Sequence, residues 1–142
     1  MRGIRVFSRI QRLPMILLAG LLLPACGMVS AGGPSTSCPA GTAQITVFDT
    51  AMQRVCGCTE ASGQYFSGPG SLACTVKVGT VVYFNYSGII NSHQIAISGL
   101  YTSPVRTSSG TSQTDGYDFS STGTFTFQDN FTNIGGTFTV TP

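Results

Sequence analysis

Tryptophan is absent from the 142 residues, histidine occurs once, at His93, and only 8% of the chain is charged. Each shortage removes a class of function. Without Trp the chain lacks a frequent hot-spot and sugar-stacking residue. The lone His93 is accompanied by no Gly-x-Ser-x-Gly elbow, so a Ser-His-Asp hydrolase has no sequence signature here. No glycine-rich phosphate loop opens a helix, no Leu/Ala/Glu/Lys segment sustains a helical period, and no internal repeat is present.

What charge there is lies unevenly. Arg2, Arg5, Arg9 and Arg12 form a basic head, and the apolar run Met15–Leu23 follows it. That run is shorter than the roughly 20 apolar residues a membrane span needs, so the head is a targeting segment. Leu23-Pro24-Ala25-Cys26 resembles a bacterial lipobox, with Pro24 as a departure from the pattern. The resemblance implies cleavage before Cys26 and lipid on its thiol and amine. Gly27 and Met28 follow the cysteine, and no Asp there asks for inner-membrane retention; the expected address is the outer membrane or cell surface. The alternative is an ordinary signal cut after Val29-Ser30-Ala31, giving a soluble periplasmic or secreted protein. The expected domains are a signal peptide over 1–25, a lipidated tether over 26–37, small and polar, and one folded domain over 38–142.

Loss of the basic head changes the electrostatics. Arg54, Lys77 and Arg106 remain against Asp49, Glu60, Asp115, Asp118 and Asp129, three cations against five anions, so a precursor of +2 becomes a mature chain of −2. No basic patch survives, which excludes nucleic acid as a partner.

The mature chain is dense in Thr, Ser, Gly, Val and Phe, and its pattern is that of strands. Ile45 and Val47 alternate with polar neighbours over Gln44–Phe48. Thr75–Val78 leads through Gly79-Thr80 into the β-branched and aromatic stretch Val81–Tyr86. His93, Ile95 and Ile97 share a face, as do Phe125 and Phe127 over Thr122–Phe127, and Phe138 and Val140 over Thr137–Val140. Short strands between Gly/Ser/Asn/Pro turns predict an all-β sandwich or barrel, of about 7–8 strands by analogy to antiparallel sandwiches of this size. A single helical turn capped by Asp49 or Thr50 is the one helix expected, over Asp49–Arg54. Thr102–Thr114 reads as a solvated crossover, and Asp115 and Asp118 as turn residues in Asp-Gly-Tyr-Asp. The aromatics are expected in the core, with Tyr83 and Tyr101 facing outward.

Cys38, Cys56, Cys58 and Cys74 make an even set in an exported domain and predict two disulfides. A Cys56–Cys58 bridge would close a strained ring; Cys38 and Cys74 therefore each take one of that pair, in either order. A soft metal site at Cys56-Gly57-Cys58 is the competing reading.

Leu72–Ile97, with its two strands, polar loop and His93 opening a third, resembles the core of the cupredoxin family, the small blue-copper β-sandwiches. The resemblance covers Leu72–Val140 and implies a Greek-key sandwich in which His93 stands at the first imidazole ligand. In the family, a Gly-Thr-aromatic-x-aromatic strand precedes a Cys, a His and a Met. This chain has the strand, Gly123-Thr124-Phe125-Thr126-Phe127, and then Gln128-Asp129-Asn130-Phe131-Thr132-Asn133-Ile134. Asp129 stands where the Cys would be, Phe131 or Thr132 near the second His, and Ile134 near the Met. A blue site needs two imidazoles and a thiolate; this chain cannot build one. His93 with Asp129 remains a candidate site for copper or zinc, because those two positions converge in the family fold. The expectation is a non-catalytic envelope protein, bound to the membrane by lipid, whose domain serves binding or structure, with periplasmic metal binding or electron transfer through His93 as the alternative.

Overall fold

The computed structural model describes residues 37–108 and 113–142. The expected signal peptide, the lipobox-like motif at Cys26 and nearly all of the expected tether therefore lie outside the described residues. Ten strands form: β1 Thr42–Val47, β2 Met52–Cys56, β3 Tyr65–Phe66, β4 Leu72–Lys77, β5 Val81–Tyr86, β6 Ile95–Ile97, β7 Tyr101–Thr102, β8 Thr114–Asp118, β9 Gly123–Asp129 and β10 Gly135–Thr141. They build two five-stranded sheets in the orders β3-β2-β1-β5-β8 and β4-β10-β9-β6-β7. The chain changes sheet at every connection from β3 to β6 and again on either side of β8. Two pairs are parallel, β1 with β5 and β4 with β10; the others are antiparallel.

Alternation places the core. Ala43, Ile45 and Val47 of β1, Val82 and Phe84 of β5, Leu72 and Cys74 of β4, Ile95 and Ile97 of β6, and Phe138 of β10 are all buried between the sheets. The period of two along a strand makes this inevitable once one residue faces inward. An aromatic cluster fills the centre, with Phe127 and Phe138 stacked at 4.4 Å and Phe119 at 5.0 Å from Phe138. Such contacts contribute about 0.5–1.5 kcal/mol each beyond their burial.

Both long edges of the sandwich are sewn by polar groups. On one, Arg54 points inward from β2 and is 3% exposed. Its Nε donates to the Ala61 carbonyl at 2.7 Å, Nη2 to Gln64 Oε1 at 2.8 Å, and Nη1 to the carbonyl of Ala73 on the facing sheet, while Phe66 lies under the guanidinium at 5.2 Å. Cys38–Cys56 and Cys58–Cys74 flank it. Glu60 accepts from the Thr75 amide at 2.8 Å and its hydroxyl at 2.7 Å, so the free edge of β4 is capped. Gly57 lets the two disulfides meet: its φ is +83°, and a Cβ there would sit 2.2 Å from the Thr42 carbonyl oxygen.

The other edge joins β5 and β8 to the far sheet. Arg106 grips Asp115 in a bidentate pair at 2.5 and 3.2 Å, and the Tyr86 hydroxyl donates to Asp115 at 2.8 Å. Ser103 lies 3.4 Å from that hydroxyl and accepts the Ile95 amide at 3.0 Å. Burial, with the Asp115 carboxylate beside it, raises the Tyr86 phenol well above its ordinary value, so it stays a donor.

Several expectations change. Residues 49–54 form no helical turn: Phe48 and Ala51 close a hairpin turn, with the Phe48 amide 2.9 Å from the Ala51 carbonyl, and Met52 enters a strand registered on β1. A lone turn has no packing to offset its nucleation cost, whereas ladder bonds do. Asp115 is a buried strand residue rather than a turn residue, 5% exposed, because Arg106 neutralises it there. Within the described part of 102–114 most residues are exposed, as a solvated crossover requires, but Ser103 is buried and Arg106 makes a bridge to His93. Tyr83 faces outward as expected, alternating with the buried Val82 and Phe84, but Tyr101 is half-buried, packing on Tyr117 at 5.4 Å, and Phe131, expected in the core, is 54% exposed.

Candidate functional site

The chain's one histidine lies at the end of the sandwich where β1, β5 and β9 run out. His93 is fully buried, and its backbone exchanges hydrogen bonds with Arg106, 2.8 Å in each direction. That bridge fixes the backbone on which the imidazole is mounted, just ahead of β6.

Two carboxylates hold the ring. His93 Nδ1 lies 2.5 Å from Asp129 Oδ2, and Nε2 lies 3.1 Å from Asp49 Oδ1. Asp129 ends β9 and is itself fully buried; it also accepts the amides of Gln94 at 3.0 Å and Phe131 at 3.1 Å and the hydroxyl of Thr132 at 2.9 Å. The bond to Phe131, two residues on, is an Asx turn, which begins the tight reversal into β10. Asn133 completes that reversal at φ +58°, a region Asn tolerates better than most residues. Asp49 comes from the β1–β2 turn, is 18% exposed, and accepts the amides of Ile90 at 3.0 Å and Asn91 at 3.1 Å. The Asn91 amide first, and then His93, hold the Asp49 carboxyl below the usual carboxylate range.

A neutral imidazole carries one N–H and one acceptor nitrogen, and an ionised carboxylate only accepts. Both ring nitrogens of His93 face carboxylates. The arrangement is satisfied on both sides when the ring carries both protons, as an imidazolium between two anions.

The structure thus brings His93 and Asp129 together and adds Asp49, whose sequence context offers it, or Thr50, as a helix cap. Phe131, which turns outward, and Ile134 have hydrocarbon side chains, and Thr132 Oγ1 is occupied, donating to Asp129 at 2.9 Å and accepting the Ile134 amide at 3.3 Å. Among the described residues no group of three or more His, Cys, Asp or Glu side chains is arranged to hold a metal ion. The donor set does not suit blue copper: there is one imidazole, Asp129 in place of a thiolate, and each ring nitrogen already has a carboxylate partner. Cys56 and Cys58 are both in disulfides, so they offer no thiolate pair. At the opposite end of the sandwich a groove of about 430 Å³ runs between Gly41, Gly57, Lys77 and Thr141; Lys77 is its one titratable side chain, and it holds no constellation for chemistry.

No family model matches this chain, and no curated protein matches it. Solved structures similar to it include a purple cupredoxin from Nitrosopumilus maritimus, at 19% identity over 70% of this chain and 99% of that one, with a TM-score of 0.48. An amicyanin variant is 16% identical over 75% of this chain and 89% of its own, with a TM-score of 0.47. A mutant fern plastocyanin is 23% identical over 49% of this chain and 83% of its own, with a TM-score of 0.40. At these identities and scores they transfer no ligand, activity or partner to this chain.

Proposed function

We propose that this chain is an exported cell-envelope protein whose β-sandwich serves binding or structure rather than electron transfer or catalysis. One observation carries the reading: the imidazole where the sequence resemblance places a copper ligand is closed on both sides by Asp49 and Asp129. A charged hydrogen-bonded unit of this kind rigidifies the end of the sandwich and leaves no nitrogen free. Two disulfides in a domain of this size fit an oxidising compartment outside the cytoplasm. In this reading the lipobox at Cys26 supplies a lipid anchor and the outer membrane or cell surface is the destination.

Titration of the oxidised protein with Cu²⁺ and Zn²⁺, followed by native mass spectrometry with His93→Ala in parallel, tests it. Absence of stoichiometric binding supports the reading. Tight one-to-one binding that disappears in His93→Ala overturns it in favour of metal carriage. Intact mass of the membrane-extracted protein tests the address: a diacylated N-terminal Cys26 is expected, and an unmodified chain beginning at Gly32 would mean a soluble exported protein.

A further inference from the structure

We infer that Asp49, His93 and Asp129 form a proton-operated latch that fastens the Ile90–Asn91 loop to the β1–β2 turn. Three separate pieces of chain meet on one ring. Asp129 brings the β9–β10 turn, Asp49 brings the β1–β2 turn, and Asp49 in its turn holds the amides of Ile90 and Asn91. The two halves of the unit are unequal. The Asp129 contact is the shorter, is fully buried, and is backed by two amides and a hydroxyl. The Asp49 contact is longer and its carboxylate is 18% exposed, so water can replace the ring there.

Removal of one ring proton leaves a lone pair facing a carboxylate on one side. The buried Asp129 side has no water to substitute for the N–H, so the remaining proton stays on Nδ1 and the Asp49 side opens. The latch is therefore closed when the ring is doubly protonated and Asp49 is ionised, and it opens on either side of that window. The charged groups packed around the ring are Asp49, Asp129 and, through the backbone bridge, Arg106, whose own charge is paired with Asp115 next to Tyr86. Opening frees the loop that carries Ile90, which is 83% exposed, while the sandwich stays stapled at its disulfide edge.

The test is ¹⁵N NMR of the oxidised exported chain, reading the His93 ring nitrogens and the amide exchange of Ile90 and Asn91 across the folded pH range. In the closed state both ring nitrogens carry protons. On raising the pH, Nε2 alone changes to the unprotonated type, and protection of the Ile90 and Asn91 amides drops about tenfold or more with the same midpoint, while β1 and β5 amides keep theirs. A singly protonated ring at every pH, or loop amides indifferent to the ring's titration, overturns the proposal. Asp49→Ala, which removes the acceptor of both loop amides, separates the latch from global stability: it is expected to leave the core protected and the loop open at every pH. A loop in Asp49→Ala as protected and as pH-dependent as in the parent protein also overturns it.

Discussion

Two basic side chains are buried in this small domain, and they are held in opposite ways. Arg54 sits at the disulfide edge among neutral acceptors, the carbonyls of Ala61 and Ala73 and the Gln64 amide oxygen. His93 sits at the far end between two carboxylates. A guanidinium remains charged at any pH at which the protein folds, so neutral acceptors can hold it, with the Glu60 carboxylate near enough to attract it, and the cation itself never changes state. An imidazole changes its charge within the ordinary range, so its neighbours fix when it is held. The first arrangement is permanent, reinforced by covalent bonds; the second is conditional.

The sharpest way to break this contrast is to remove the ring. His93→Leu leaves the buried Asp129 carboxylate without its ring partner, and a loss of about 3–5 kcal/mol is expected in denaturant unfolding. Removing the covalent reinforcement with the double change Cys58→Ser and Cys74→Ser is expected to cost about 3 kcal/mol, the typical value for a loop of this length, without altering the His93 resonances. Arg54→Met strands three acceptors and is expected to cost about 2 kcal/mol, with the same loss at pH values on both sides of neutrality. A loss that varied with pH would erase the distinction between the two sites.

Acid offers a gentler probe. The folded-state carboxyl of Asp49 lies below its ordinary value of 3.8. Its contribution is therefore complete above that value and disappears as the pH falls through the lower folded value. Asp49→Asn is expected to flatten the acid limb of the stability curve in that window. The smallest effect belongs to Thr132→Val, which deletes one of four donors to Asp129 and is expected to cost about 1 kcal/mol.

The strands that were legible in the sequence are those whose inward residues are apolar. Val81–Tyr86 matches β5 residue for residue, and the shared face of His93, Ile95 and Ile97 is buried as the alternation required. β2 and β8 escaped because their inward positions include Arg54 and Asp115, which break the apolar alternation while facing inward all the same. Their partners lie 7 to 19 residues away for Arg54 and 9 and 29 residues away for Asp115, beyond any local pattern. Asp49 was missed for a related reason: its ring partner is 44 residues distant. The signal that could have found all three is scarcity. In a chain this poor in charge, ionisable residues between apolar strands are more usefully read as partners for one another than as surface decoration.

The order β4-β10-β9 places the tenth strand inside its sheet, with β4 on one side and β9 on the other. Until Gly135–Thr141 is present, β4 has no neighbour in its own sheet and Phe138 is missing from the aromatic centre. The far sheet is therefore completed from its middle by the last strand to be made, and the sandwich closes as a whole only when that strand is in place.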